Sequence, residues 1–308
     1  MTSTRIQIPI DGDTLAGHHF AATTDALTGP GGRPCVVMAH GFGATQDCGL
    51  FGFAEVFAGT GMDVLTFDYR HFGESTGQPR QVVSLKGQVA DYHAAIGHAR
   101  RLEGVDPARI VVWGVSLSGG HVIRVAAEDP RLAGVVSLTP ATDGLAVTAD
   151  MLRASGPGHA LQVMAHGLRD VAAALRGRPP VLVPIVGAPG EVAGLTAAGA
   201  LEGMRRIAGP TWRNEFAARL GLAIGAHRPI TSAKRVNCPA LVQIGDLDRT
   251  APPTAATEAA TRMRATVHHY PCDHFDVYPG EPWHERVVAD QIRFLTRILA
   301  PSRVGASR

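Results

Sequence analysis

The chain has 308 residues, 45% hydrophobic and 18% charged, too apolar for a disordered polymer and long enough to bury a large core without disulfide or metal staples. Lys and Arg total 29 against 27 Asp and Glu, a formal net charge of +2, so the clustered basic surface of a nucleic-acid or anionic-membrane binder is not signalled. No stretch approaches the ~20 apolar residues of a membrane span. The opening MTSTRIQIPIDGDTLAG lacks the layout of a secretory signal, and Cys35, Cys48, Cys238 and Cys272 show no CxxC spacing. A cytoplasmic protein with reduced thiols is therefore expected.

Two alternating runs, 5–9 and 14–20, joined by Asp11-Gly12-Asp13, predict a β-hairpin. The apolar run 35–39, bounded by turn residues, predicts a strand buried on both faces. It ends at His40-Gly41-Phe42-Gly43, and a helix is predicted over 49–59. A second apolar strand over 63–68 leads into the Gly-rich turn RHFGESTG. Apolar residues at 3–4 spacing predict a helix over 82–101, and Asp106-Pro107 reads as a turn before a β-branched strand at 109–114. A helix over 117–128 and a strand over 134–138 follow. The alternation resumes late, with strands at 240–245 and 266–270 and helices at 253–264 and 285–299. This rhythm predicts a mainly parallel sheet covered on both faces.

Residues 141–229 break the rhythm. Connections in α/β units usually span ~2–6 residues, so this stretch reads as an inserted helical cap or lid, leaving 1–140 and 230–308 as the sheet domain. The 3–4 spacing of Leu161, Met164, Leu168, Val171 and Leu175 predicts a helix there. These residues and the VLVPIVG run suit a cap core, with lining of a substrate pocket, Met164 included, as the second use.

The strongest chemical signal is Gly114-Val115-Ser116-Leu117-Ser118-Gly119-Gly120, at a strand-to-helix junction. A serine on such a turn presents its hydroxyl above the sheet, beside a helix N-terminus. Ser118 stands where the G-x-S-x-G pattern has its second glycine. Serine needs a general base, and the base an orienting carboxylate. His274 follows the last predicted strand. Asp246 and Asp248 both follow the strand before it, Asp248 being the preferred acid and Asp246 the reserve. Backbone N–H groups of Phe42 and Leu117 are the candidate oxyanion donors, with His40, Gly41 and Gly43 as flanking candidates for substrate contact.

The ordered segments HGFG (40–43), FDYRHFGESTG (67–77), GVSLSGG (114–120), GDLD (245–248) and DHFDVY (273–278) resemble those of α/β-hydrolase-fold serine hydrolases, over about 1–140 and 230–300. Within that fold the chain is most similar to capped bacterial esterases of the dienelactone-hydrolase-like or acetylxylan-esterase-like group, although dienelactone hydrolases proper carry a cysteine where this chain has Ser116. The resemblance implies an eight-stranded, mostly parallel sheet with an antiparallel N-terminal hairpin, the triad Ser116, Asp248 and His274, an acyl-enzyme mechanism, and no metal or organic cofactor.

The expected activity is hydrolysis of a small or medium apolar carboxylic ester. Thioester, amide or peptide, and carbon–carbon bond hydrolysis on the same triad, and a non-catalytic receptor, are the alternatives. The pairs His18-His19 and His268-His269 fall on predicted strands, where adjacent side chains point to opposite faces, so no metal site is expected. Arg205, Arg206 and Arg213 could meet a substrate carboxylate, though solvated arginines are commoner. A homodimer, through exposed cap helices or an edge strand at 266–270, is admitted but not required.

Overall fold

The computed structural model describes residues 3–301. The chain begins with the hairpin β1 (Thr4–Ile10) and β2 (Asp13–Phe20), then runs β3 (Arg33–Ala39), α1 (Leu50–Gly59), β4 (Asp63–Phe67), α2 (Leu85–Ala99), β5 (Val105–Val115), α3 (Leu117–Glu128) and β6 (Gly134–Leu138). An insertion follows with α4 (Gly144–Leu175), β7 (Leu182–Val183), α5 (Ala200–Ile207), β8 (Phe216–Ala217) and α6 (Leu220–Ala223). The chain returns through β9 (Ala240–Gly245), α7 (Pro253–Met263), β10 (Thr266–Tyr270) and α8 (His284–Ile298).

Eight strands form one sheet in the order β1-β2-β4-β3-β5-β6-β9-β10. The β1–β2 and β2–β4 pairs are antiparallel and the others parallel. This is the α/β-hydrolase architecture the sequence resemblance implies. Every residue of β4, β6 and β9, and all of β3 except Arg33, is buried, because helices cover both faces. A buried polar chain fastens α8 to the sheet. The Trp113 indole N–H donates to Gln291, Gln291 to Gln243, and Gln243 to the Tyr270 hydroxyl, which donates to Asp290.

Two boundaries differ from the sequence expectation. Helix α2 starts at Leu85 rather than 82, since Ser84 is extended and its hydroxyl caps the Gly87 N–H at 3.1 Å. Strand β5 starts at Val105 and runs through Asp106-Pro107, where a turn was expected. Its register jumps there, Val105 facing Arg33 and Ile110 facing Cys35. The extra residues bulge out of the ladder, which accommodates a proline that cannot donate.

The insertion is less helical than expected, with irregular chain between β7 and α5. Helix α4 bends at Gly156-Pro157, as proline within a helix dictates. The buried Asp170 carboxylate fixes the helix in place, accepting from the N–H groups of Val181 and Arg219 and from the Arg219 guanidinium. The stripe Leu161, Met164, Leu168, Val171 and Leu175 is exposed, so it is not a core. Among the described residues no helix is long and apolar enough to cross a membrane.

Candidate active site

Parallel strands deliver their C-terminal ends to one edge, and loops leaving that edge converge. There β5 ends and α3 begins at Ser116, whose backbone adopts φ 59° and ψ −120°. That conformation is costly for a non-glycine residue and is held by its surroundings. The Ser116 N–H donates to Leu138 O at 2.9 Å, and its carbonyl accepts from Gly120 and Ala141. A Cβ on Gly114 would lie 2.3 Å from Ser118 O, so only glycine fits before the turn. Ser118 is compatible with the turn because its hydroxyl donates to Ala39 O at 2.7 Å and accepts from the Val115 N–H at 3.0 Å. These bonds tie the elbow to β3.

The loop after β3 packs on the elbow. A Cβ at Gly41 would come within 2.9 Å of the Ser116 Cβ. His40 is buried, with its Nδ1–H donating to Gly41 O at 3.0 Å, so it shapes this loop. The Phe42 ring meets Phe216 of β8 edge-on at 4.8 Å between centroids. Leu117, as the first residue of α3, has an N–H without a partner inside the helix.

From the far side, the loop after β9 brings Asp248 and the loop after β10 brings His274. The His274 Nδ1–H donates to Asp248 Oδ2 at 2.7 Å, both side chains being buried. The other Asp248 oxygen accepts from the N–H groups of Thr250 and Ala251 at 2.8 and 2.7 Å. Asp246 turns to the edge of the sheet instead, where His269 holds it at 2.6 Å. Ser116, Asp248 and His274 each follow the C-terminal end of a parallel strand, and Asp248 pairs with His274 whereas Asp246 pairs with His269.

Ser116 lines a cavity of about 110 Å³. Its walls come from the body (Phe42, Leu117, Thr250) and from the insertion, where Val147, Met151, Val163 and His166 of α4 and Phe216 face inward. Almost all of this lining is apolar, which suits an acyl or alkyl group. Met164 does not line it. It is exposed on the opposite face of α4, one residue past Val163, because the cavity and the outer stripe take opposite sides of one helix. No local signal in the sequence distinguished those sides. Val183 lines the cavity, while Ile185 and Val186 pack in the core.

The arginines considered for substrate binding lie elsewhere. Arg206 pairs with Glu281 at 2.6 Å, Arg213 faces Glu215 at 3.9 Å, and Arg205 is exposed. The histidine pairs diverge, with His19 on Asp63, His18 on Ser3, and His268 and His269 on Asp290 and Asp246.

Behind the elbow is a row of buried imidazoles that the sequence did not reveal. The His121 ring lies 4.8 Å from His227 and 6.1 Å from Tyr69, which in turn lies 4.8 Å from His40. Burial pushes His40 and His227 down to about 4, with the Arg124 charge adding to the effect at His227. His121 is lowered further, by burial and then by His227. The unfolded imidazole titrates near ~6.5, so between that pH and about 4 the unfolded state binds the extra proton. Each histidine's contribution is complete above that window and is lost as pH falls through it. Burial raises Asp68 and Asp91 to about 6, which acts with the opposite sign, so a comparison of parent and variant isolates one group. At pH 5 a His227 held at about 4 costs about 2 kcal/mol relative to pH 7. In urea unfolding, the stability difference between His227→Gln and its parent should therefore shift by that amount, in the variant's favour, from pH 7 to pH 5. A pH-independent difference would remove His227 from the linkage.

Comparison with known proteins finds relatives of this chain and of its fold. A family model described as serine aminopeptidase, S33, matches residues 32–179. The chain is 40% identical over 283 residues to the quorum-quenching protein AidA of Acinetobacter baumannii (strain MDR-ZJ06), covering 91% of this chain and 90% of that protein. It is 39% identical over 133 residues to the thiohydrolase aneE of Aspergillus aculeatus, covering 43% and 40%. Its fold matches the crystal structure of the α/β hydrolase GrgF from Penicillium sp. sh18 with a TM-score of 0.80 at 23% identity, over 97% of this chain and 99% of that one.

Proposed function

Since the chain belongs to the α/β-hydrolase family and is a hydrolase, we propose that it is a serine hydrolase that cleaves carboxylic esters through an acyl-enzyme. The carrying observation is the buried 2.7 Å pair of His274 and Asp248, set at the same sheet edge as the strained Ser116 elbow. A carboxylate on Nδ1 fixes the tautomer that leaves Nε2 free to accept a proton. Ser116 Oγ attacks the ester carbonyl while His274 Nε2 takes its proton, and Asp248 stabilises the imidazolium. The N–H groups of Phe42 and Leu117 receive the oxyanion. His274 then protonates the departing alkoxide. Water, deprotonated by His274, attacks the acyl-enzyme, and collapse of the second tetrahedral intermediate releases the acid and restores Ser116.

No metal or organic cofactor enters this scheme. Residues 141–229 act as the cap over the site, with α4 as one wall of an acyl pocket. A thioester is the second reading, favoured by the relative named a thiohydrolase. Small signal molecules bearing a carboxylic ester fall within the proposed class, in keeping with the relative named a quorum-quenching protein.

A chain-length series of p-nitrophenyl esters, run beside the matching acyl thioesters, tests both the bond and the pocket. Medium acyl chains should have the highest kcat/KM. Val163→Trp fills the α4 wall and should lower kcat/KM for those chains by ~10-fold or more, as lost methylene contacts do, while acetate hydrolysis stays within about twofold. An unchanged chain-length profile would remove the acyl chain from this cavity. Turnover of thioesters alone would replace the ester reading.

A further inference from the structure

Helix α4 has two apolar sides, and only one of them faces the cavity. On the other, Leu161 is 64% exposed, Met164 44%, Leu168 58%, Val171 36% and Leu175 83%. Nine of the twelve large apolar residues exposed among the described residues lie between 145 and 222. An apolar stripe this continuous on a monomer marks an interaction surface.

The stripe says what covers it. Its 3-4-3-4 spacing is that of a and d positions in a coiled-coil seam. Leu161 and Leu175 each stand seven residues from Leu168, and Met164 and Val171 lie between, so the seam reads nearly the same in both directions. Its shoulders are Ala160, Ala165, Ala172 and Ala174, small residues that permit close helix approach. Leu222, 41% exposed, packs beside Gly167 and widens the face. No charged side chain stands on the seam, and Arg169 and Arg176 lie about 100° from it around the helix. A helix lying on lipid joins its apolar face to a strongly basic opposite face, whereas here the opposite face is the cavity wall.

We propose that α4 is a homodimer interface, formed with a second copy about a two-fold axis through Leu168. Antiparallel pairing sets Leu161 of one copy beside Leu175 of the other, and Leu168 beside its own equivalent, as an isologous contact requires. The seam is ~21 Å long, so the roughly 800 Å² per partner that a stable dimer needs would also draw on the residues beside it, Leu222 among them. The outer side of the cap helix is then held by a partner while its inner side lines the cavity.

Sedimentation equilibrium on the full chain tests this. The parent should have twice the chain mass of 32.3 kDa at tens of micromolar. Leu168→Glu places two like charges on the axis and should raise the dimer dissociation constant ~100-fold or more. Leu168→Lys should do the same, and an equimolar mixture of the two variants should recover the dimer, an outcome that misfolding cannot produce. Val267→Glu, on the edge strand β10, should leave the dimer intact. A parent that stays monomeric at roughly 100 µM, a dimer unaffected by Leu168→Glu, or a monomer that floats with phosphatidylglycerol vesicles in a Leu168-dependent way would each overturn the proposal.

Discussion

Ser116→Ala should lower ester turnover by about four to six orders of magnitude while leaving the far-ultraviolet circular dichroism spectrum and the melting temperature near those of the parent. In the proposed mechanism no other hydroxyl serves as the nucleophile. Ser118, two residues on, is fully buried and donates to Ala39 O, so it cannot substitute as nucleophile. The side chain removed is small, and the bonds that hold the turn run through the Ser116 backbone and the Ser118 hydroxyl, all of which alanine at 116 retains. Fluorophosphonate labelling supplies a second readout, because only an activated serine reacts. The parent should label at Ser116 and the variant should not. A variant that keeps parental rates would assign the nucleophile elsewhere and take the acyl-enzyme reading with it.

Asp248→Asn should cost about four orders of magnitude in kcat, the scale seen when a triad carboxylate becomes an amide. The geometry supplies the cause. One Asp248 oxygen accepts from two backbone N–H groups, so an asparagine there keeps its carbonyl on those donors and turns its NH₂ toward His274. The imidazole must then accept at Nδ1 and carry its proton on Nε2, the tautomer that cannot deprotonate Ser116. Asp246→Asn is the contrasting variant. It alters a half-exposed contact with His269 at the sheet edge and should change kcat by less than about twofold, since such surface pairs are worth little. Stopped-flow and steady-state kinetics on both variants separate the two carboxylates. Equal losses would mean that the 2.7 Å contact in the structure is not the orienting one.

Much of the sheet was legible because its signals are local. A strand buried on both faces must be apolar throughout, and Val36–Met38, Val111–Trp113 and Leu241–Val242 are. A serine on a strand-to-helix turn needs small neighbours, and Gly114 supplies one. The order of Ser116, Asp248 and His274 along the chain, each after a strand, fits parallel strands whose ends meet at one edge.

The remaining features depend on contacts between residues distant in sequence. Asp246 and Asp248 are both acids after the same strand. The sequence preferred Asp248 without excluding Asp246, and it is the arrival of His269 beside one and His274 beside the other that gives them different partners. The 3-4 periodicity of α4 identified a helix correctly, but a helix with two apolar sides carries no mark of which side faces inward. Asp170 and its arginine on another segment set that rotation, leaving Met164 outside and Val163 inside. Pro107 looked like a stop because its missing donor normally ends a strand, and a bulge against β3 accommodates it. The buried row of His40, His121 and His227 is spread over 188 positions of the chain, and no periodicity brings such residues together. Apolar patterning and turn chemistry are thus written in the sequence itself, because each acts over a few neighbours. Partner choice, helix rotation and the proton affinity of buried groups belong to the tertiary structure, because each depends on what packs against it.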